Sequence, residues 1–437
     1  MRNKPELLIP ANNPEVLRCA VNFGADAVYI GGEAFSLRAK AKNFTREEMA
    51  LSIRYAHEHG VRVHVTANIL AHNEDLDQAA AYFQELAALA PDAVLVADPG
   101  MFLLARKYCP DVEIHISTQA NNTNTGTFRF WRDLGAKRVV CARELSLAEI
   151  SRIRQELDAD EQAGAPHLEI EAFVHGAMCI SYSGRCLLSS YFTGRDANHG
   201  ECTHPCRWKY YVMEESRPGE FLPVEENERG TYIFNSRDLC MIDHLPELVN
   251  AGVDSLKIEG RMKTALYVAS VARTYRKAID ALAESEECYR AHLDWYREEI
   301  RQCTYRRFTT GFYFGKPSAE DMVYDSNTYI NESVYLGIAE EVKEDRVRIT
   351  QRNKFCRGDQ IEVMKPDGRN LQVTVCSIQD EEGAEQESAP HPKQCLWLKL
   401  QPEDGTPAEI AAGDLLRYHP GTPAQRTDKK ETRLYDA

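Results

Sequence analysis

No stretch of this chain approaches the roughly 18 consecutive apolar residues that cross a bilayer as a helix. Nor does the N-terminus follow the leader pattern of a positive start and about 7 to 15 apolar residues. After Met1-Arg2-Asn3-Lys4-Pro5, the run Leu7-Leu8-Ile9-Pro10-Ala11 has only the length of a strand. The expectation is a cytoplasmic protein without a membrane partner. Positive charge is also short: 52 Lys+Arg against 67 Asp+Glu give a net charge of -15. That excludes a generally basic nucleic-acid coat, though not a local basic patch. The sequence contains no Gly-x-Ser-x-Gly elbow and no His-Glu-x-x-His pair, so protease chemistry has no visible nucleophile or zinc helix.

What is present is ordinary globular material with one anomaly. The 437 residues are 43% hydrophobic and 27% charged, with 25 Gly and 19 Pro, enough for about two to three domains. Thirteen cysteines are the anomaly. In a compartment that keeps thiols reduced, so many point to metal or catalysis more than to disulfides, and the odd total agrees.

Seven short apolar runs alternate with amphipathic stretches: Leu7 to Ala11, Ala27 to Gly31, Val61 to Asn68, Ala93 to Asp98, Glu113 to Ser117, Lys137 to Ala142 and Leu168 to Val174. Helical patterns lie between them, such as Arg46 to His59 and Leu76 to Leu89, and Thr45 with Glu48 forms a capping box before the first. Strands buried on both faces and alternating with helices are parallel βα units. An eighth strand, Asp254 to Glu259, follows a helix at Pro246 to Ala251, so a TIM-like (β/α)8 barrel is expected over residues 1–325, closed by a helix at Leu266 to Leu282. Residues 178–240 form a Cys-rich insertion, with Lys209 to Glu214 and Thr231 to Asn235 expected as a hairpin. From about 330 to 425 the pattern changes to short alternating strands, Val334 to Ala339, Arg346 to Gln351, Gln360 to Met364, Leu371 to Ile378 and Leu396 to Leu400, a small all-β barrel. The acidic run Asp380 to Glu387 reads as a solvated loop, and residues 426–437 as a tail.

Five cysteines, Cys179, Cys186, Cys202, Cys206 and Cys240, fall within residues 179–240, at the end of the seventh strand where barrel enzymes place their sites. The other eight, Cys19, Cys109, Cys141, Cys288, Cys303, Cys356, Cys376 and Cys395, stand singly and are expected as small buried apolar residues. Structural zinc prefers two close pairs of ligands, and only Cys202 and Cys206 have such a spacing. The Cys-x3-Cys-x2-Cys loop of radical enzymes would need a cysteine where Lys209 stands. An iron-sulfur cube held from widely spaced loops suits the ligand softness best.

The string Glu171 to Cys186 (EAFVHGAMCISYSGRC) resembles the signature of the collagenase-like peptidase family, U-32. Asn198 to Trp208, Asn235 to Cys240, Leu256 to Lys263 and Arg307 to Gly315 support it, so the resemblance spans residues 7 to about 317. The β module after 330 is similar to the C-terminal barrel of the branch that hydroxylates the wobble uridine of tRNA. The resemblance implies oxygen-independent formation of 5-hydroxyuridine in the tRNA anticodon loop, with prephenate as co-substrate and a 4Fe-4S cluster. Matched position by position, the cluster ligands fall on Cys179, Cys186, Cys202 and Cys240, with Cys206 a possible substitute for Cys202. The rival readings are a peptidase acting on collagen-like chains and an iron-sulfur RNA-binding subunit without catalysis of its own.

A dicarboxylate co-substrate calls for arginine, whose planar fork pairs two carboxylate oxygens. Candidates at strand ends are Arg143, Arg237, Lys257 and Arg261; Glu259 can orient Arg261 or act as an acid or base, and His175 is a candidate proton donor. Asn12, Tyr29, Asn68, Asp98, Ser117 and Gln119 are polar residues expected to line the pocket. RNA must be held against the global charge. Residues 179–209 carry Arg185, Arg195, Arg207 and Lys209 against Asp196 and Glu201, with Tyr182, Tyr191, Phe192 and Trp208 available to stack on splayed bases. Arg38, Lys40, Lys42, Arg306, Arg307 and Lys316 add candidate phosphate contacts.

Overall fold

A computed structural model describes residues 4–36, 43–179, 181–183, 185–208, 211–212, 222–223, 237–317, 330–402, 405 and 408–419. The chain divides into two units, Met1–Ile330 and Asn331–Ala437. Strands of the first are β1 (Glu6–Pro10), β2 (Ala27–Gly31), β3 (Arg62–Ala67), β4 (Ala93–Val96), β5 (Glu113–Ile116), β6 (Arg138–Val140), β7 (Glu169–Ala177), β8 (Tyr211–Val212), β9 (Leu222–Pro223), β10 (Asp238–Cys240), β11 (Ser255–Ile258) and β12 (Phe308–Thr309). β1 to β7 run parallel in sequence order, and β11 pairs in parallel with both β7 and β1, which closes an eight-stranded barrel. The TIM-like architecture expected from the βα alternation is therefore observed.

Local chemistry explains why the helices start where they do. In α1 (Pro14–Asn22) and α4 (Pro99–Tyr108) proline occupies the first turn, where its missing N–H costs nothing. The caps Asn13 and Asp98 accept from Val16 N and Met101 N, each at 3.0 Å. α2 (Arg46–Glu58) starts on the Thr45/Glu48 box, with Glu48 N donating to Thr45 Oγ1 at 3.2 Å and Thr45 N to Glu48 Oε2 at 3.1 Å. α6 (Leu147–Gln162) repeats the box with Ser146 and Glu149. Each such cap is worth about 1 kcal/mol. α3 (Asn73–Leu89), α5 (Thr125–Asp133), α7 (Leu188–Thr193), α8 (Leu245–Ala251) and α9 (Ala265–Glu284) follow. Among the described residues no helix is long and apolar enough to cross a membrane.

Three features depart from the sequence expectation. β10 runs antiparallel to the end of β7 and parallel to β12, adding an edge beside the barrel. Tyr211–Val212 pairs with Leu222–Pro223, whereas Thr231 to Asn235 lie outside the described residues. Below the mouth the barrel is polar: Glu6, His64, His115 and Glu171 of the odd-numbered strands are buried there with Arg138 and Lys257.

The second unit is a closed antiparallel six-stranded barrel. β13 (Val334–Lys343), β14 (Arg346–Thr350), β20 (Cys395–Pro402), β17 (Asn370–Gln379), β16 (Gln360–Met364) and β21 (Leu415–Tyr418) form the ring, with short pieces β15 (Phe355–Cys356), β18 (Glu385–Gln386) and β19 (Ser388–Ala389) outside it. Its core includes Leu336, Ile349, Val363, Val375, Leu398 and Leu416. β21 escapes the alternation rule because the barrel buries Arg417, whose Nε donates to Glu362 Oε1 at 2.7 Å. The acidic run is a tight turn followed by β18: Asp380 Oδ1 accepts from Glu382 N and Ala384 N. Residues 426–437 lie outside the described residues. Of the eight scattered cysteines, Cys19, Cys109, Cys141 and Cys303 are buried as expected; Cys288, Cys356, Cys376 and Cys395 are only half-buried.

Candidate functional site

The C-terminal ends of the barrel strands open into a cavity of about 150 Å3. Tyr29, Thr66 and Phe173 come to its wall from β2, β3 and β7, Asn68, Gln119 and Arg143 from the loops after β3, β5 and β6, and Lys257, Glu259 and Arg261 from β11 and the turn that follows. Two glycines make this close approach possible. A Cβ on Gly31 would collide with the Arg261 guanidinium, and one on Gly176 (φ 105°) with the Glu259 carbonyl where β7 and β11 shift register.

Each cation is held by specific partners. Arg261, 5% exposed, donates from Nη1 to Ser36 Oγ (2.6 Å) and Thr66 Oγ1 (3.1 Å) and from Nη2 to Asn43 Oδ1 (2.9 Å). Arg143 donates to Ala177 O at 2.7 Å, lies 3.9 Å from the Phe173 ring centroid and reaches Glu259 Oε2 at 3.5 Å. Lys257 donates to Glu171 Oε1 at 2.6 Å, and its Nζ sits 4.5 Å from the Tyr29 ring centroid. Among the described lining residues three cations face one carboxylate, Glu259. Lys257 shares its charge with Glu171, so the cavity keeps a positive surplus rather than a neutral ion-pair set. Asn68 Nδ2 donates to Ser117 Oγ at 3.0 Å, but the buried Asn68 Oδ1, Gln119 Oε1 and Arg143 Nε take no hydrogen bond among the described residues. Two acceptors and a donor on cavity-lining residues are thus buried without a hydrogen-bond partner among the described residues.

Beneath the cavity Lys257 continues into a buried network. Arg138 Nη1 reaches Glu171 Oε2 at 3.1 Å, Arg138 also pairs with Glu6 and Glu169, and Arg62 pairs with Glu6. Burial alone would raise the Glu171 carboxyl; the charges of Lys257 and Arg138 outweigh it and hold the group below the usual carboxylate range. His64 and His115, edge to face at 4.8 Å, are kept neutral by burial, His115 down to about 3. Sequence reasoning gave no role to Glu171, Arg138, Ser36, Asn43 or Thr66. A charged residue inside an otherwise apolar strand, as in EIEAFV, was the available signal.

Four thiols, Cys179, Cys186, Cys202 and Cys206, line the same cavity. The segment that carries them is tied to the barrel by Asn121 (φ 53°), which donates to Ser183 O at 3.0 Å and accepts from Arg185 Nε at 2.7 Å. Cys202 Sγ lies 3.9 Å from both Ser189 Oγ and His204 Nδ1. Cys240 does not line the cavity: it is half-buried in β10 opposite His175, and burial pushes its thiol up to about 12. Among the described residues no three His, Cys, Asp or Glu side chains converge closely enough to hold a metal ion. The four thiols at the cavity are soft donors of the kind that an iron-sulfur cluster takes, and Cys240 stands apart from them in β10.

Several candidates sit elsewhere. The His175 ring is 1% exposed and packs 5.6 to 6.0 Å from the rings of Tyr275, Phe308 and Tyr267, away from the cavity wall; burial lowers its pKa to about 4. A proton donor at pH 7 is not what this environment makes. Arg237 is half-buried ahead of β10 and does not line the cavity. Asp98 is spent as a helix cap, and Asn12 donates to Lys263 O. Arg306 is not a phosphate contact, because it is 3% exposed and bonded to Asp238 Oδ1 at 2.6 and 3.0 Å. Arg307 and Lys316 are exposed, whereas Arg38, Lys40, Lys42 and Lys209 and the Arg207 side chain lie outside the described residues. Tyr182, Tyr191, Phe192 and Trp208 are exposed, and Phe192 lies 5.0 Å from Tyr191 and 6.1 Å from Trp208, ring centre to ring centre.

Residues 12–323 match peptidase family U32, and residues 331–417 match the peptidase family U32 C-terminal domain. The tRNA hydroxylation protein P1 of Bacillus subtilis is 40% identical over 399 residues, 91% of this chain and 92% of that one. The tRNA hydroxylation protein P of Escherichia coli is 36% identical over 442 residues, covering 92% and 94%. A 23S rRNA 5-hydroxycytidine synthase of Escherichia coli is 32% identical over 363 residues, 82% of this chain and 52% of that protein.

Proposed function

This chain belongs to peptidase family U32, and we propose that it is a tRNA-modifying enzyme that hydroxylates C5 of the wobble uridine without molecular oxygen, with prephenate as co-substrate and a 4Fe-4S cluster. The observation that carries the reading is the cavity at the barrel mouth, where Arg143, Lys257 and Arg261 share one wall system with Cys179, Cys186 and Cys202. Relatives whose names state tRNA hydroxylation match it over nine-tenths of both chains. Cys179, Cys186, Cys202 and Cys240 would hold the cluster, which when bound supplies one-electron chemistry that no side chain offers.

The chain's own residues do the rest. The Arg261 fork, fixed by Ser36, Thr66 and Asn43, and the Arg143 guanidinium, stacked on Phe173, present pre-oriented donors to the two carboxylates of prephenate. Asn68 and Gln119, amide side chains that line the same cavity, are the partners for its hydroxyl. Glu259, 16% exposed beside Arg143, is placed to exchange a proton with bound substrate and to orient that arginine. Exposed Tyr191, Phe192 and Trp208 supply ring faces for the unpaired bases of an anticodon loop. The test is anaerobic incubation of purified protein with unmodified tRNA and prephenate. The expected result is one added oxygen on the wobble uridine that depends on prephenate and iron; cleavage of denatured collagen without RNA oxidation would favour a peptidase instead.

A further inference from the structure

The cavity at the mouth is small. A volume of about 150 Å3 is that of a cavity which holds one benzene-sized ring, too little for a nucleotide beside a co-substrate. A second cavity of about 680 Å3 adjoins the first, and the two share Met178, Cys179, Ser181 and Tyr182 among their lining residues. Its size falls within the roughly 300 to 1,000 Å3 typical of small-molecule sites.

The chemistry of this second cavity is that of a base pocket. Tyr182, 47% exposed, and the half-buried Phe312 bring aromatic rings to its walls. Of its two carboxylates, Glu149 is occupied by Ser146, accepting from N at 2.8 Å and from Oγ at 2.7 Å. Glu144, half-buried, takes no bond from another side chain among the described residues, and burial raises its pKa. Lys316 is exposed at the same cavity. Aromatic rings, one carboxylate acceptor and one exposed cation suit the face, the edge and the phosphate of a nucleotide.

We propose that this second cavity is the nucleotide chamber: it takes one pyrimidine nucleotide of a single-stranded RNA loop, the base against Tyr182 and Phe312, Glu144 accepting the N3–H of uracil and Lys316 facing phosphate, while the first cavity holds the anionic co-substrate. The assignment rests on the reading of the chain as a tRNA-modifying enzyme and adds where the base sits. The Cys179 segment then lines both the co-substrate site and the base site.

The experiment uses the full chain, prepared anaerobically, and a short RNA stem-loop with 4-thiouridine in the loop. Photocrosslinking should map to residues 178–182 or 309–317, and crosslinks confined to the strand ends of the first cavity would overturn the assignment. By fluorescence anisotropy Phe312→Ala should weaken stem-loop binding by about 5- to 150-fold, the range for loss of one stacked base, with prephenate affinity unchanged by titration calorimetry. If Phe312→Ala does not fold, the exposed Lys316→Glu serves: weaker binding with a shallower salt dependence supports the chamber. Unchanged RNA affinity in folded variants overturns it. A protein that modifies tRNA but crosslinks elsewhere refutes the chamber alone; one that neither binds the stem-loop nor modifies tRNA refutes the underlying function as well.

Discussion

Glu171→Gln tests the link between barrel core and active cavity. Glu171 is fully buried, 2.6 Å from Lys257 Nζ and 3.1 Å from Arg138 Nη1. The network balances three carboxylates, Glu6, Glu169 and Glu171, against three cations, Arg62, Arg138 and Lys257. Removing one charge leaves a buried cation uncompensated, at a cost of about 3–5 kcal/mol. At about 2.1 cal/mol/K per residue, the 330-residue unit unfolds with an entropy of about 0.7 kcal/mol/K, so Tm should fall by about 4–7 °C. The double variant Glu171→Gln/Lys257→Met restores the balance and should recover at least half of that loss. The pH dependence has a definite sign. A carboxyl held below its ordinary pKa stabilises the fold above about pH 4.3 and loses that contribution in acid. Protonated Glu171 resembles Gln, so the Tm gap between wild type and variant should close as pH falls. Circular dichroism melts from pH 7 downward make the comparison. A single variant within about 1 °C of wild type at pH 7, or a double variant no better than the single, refutes the reasoning.

The other expectations concern cluster, anion and acid stability. Anaerobically purified protein should be brown with about four irons per chain; Cys179→Ala and Cys202→Ala should lose both iron and colour by absorbance and iron assay, whereas Cys206→Ala keeps them. Arg261→Lys exchanges a fork held by three oxygens for a point charge and should raise KM for the dicarboxylate about 10- to 100-fold in steady-state assays. His64 and His115 are buried neutral, so their contribution to stability is present above about pH 6.5 and lost as pH falls towards their depressed values. His115→Leu should flatten that acid limb in melts between pH 7 and 4.

The barrel was legible because its strands are short, largely apolar runs that alternate with capped helices, a pattern that the Thr45/Glu48 box and the prolines of α1 and α4 sharpen. What escaped were elements whose length or charge hides them. β10 and β12 are three and two residues long and carry a buried Asp238–Arg306 pair at their junction, while β21 is broken by Arg417. At the site, the rule that function gathers at strand ends led to Arg143, Lys257, Glu259, Arg261, Asn68 and Gln119, which the fold brings to one cavity. The same rule pointed to His175, whose ring packs among Tyr267, Tyr275 and Phe308 rather than at the cavity. Asp98 looked like a pocket residue for the same positional reason, although a helix start beside Pro99 is the simpler use of an aspartate. The polar barrel floor was visible only as isolated charges in strands, whose partners lie 31 to 132 residues away in sequence, 86 for Glu171 and Lys257.

The measurement that bears most directly on the central claim is the nucleoside composition of bulk tRNA from cells with and without this gene, by liquid chromatography and mass spectrometry. Loss of 5-hydroxyuridine and its derivatives at the wobble position, restored by the intact gene but not by Cys179→Ala, is the predicted result. An unchanged nucleoside profile in the deletion strain would contradict it.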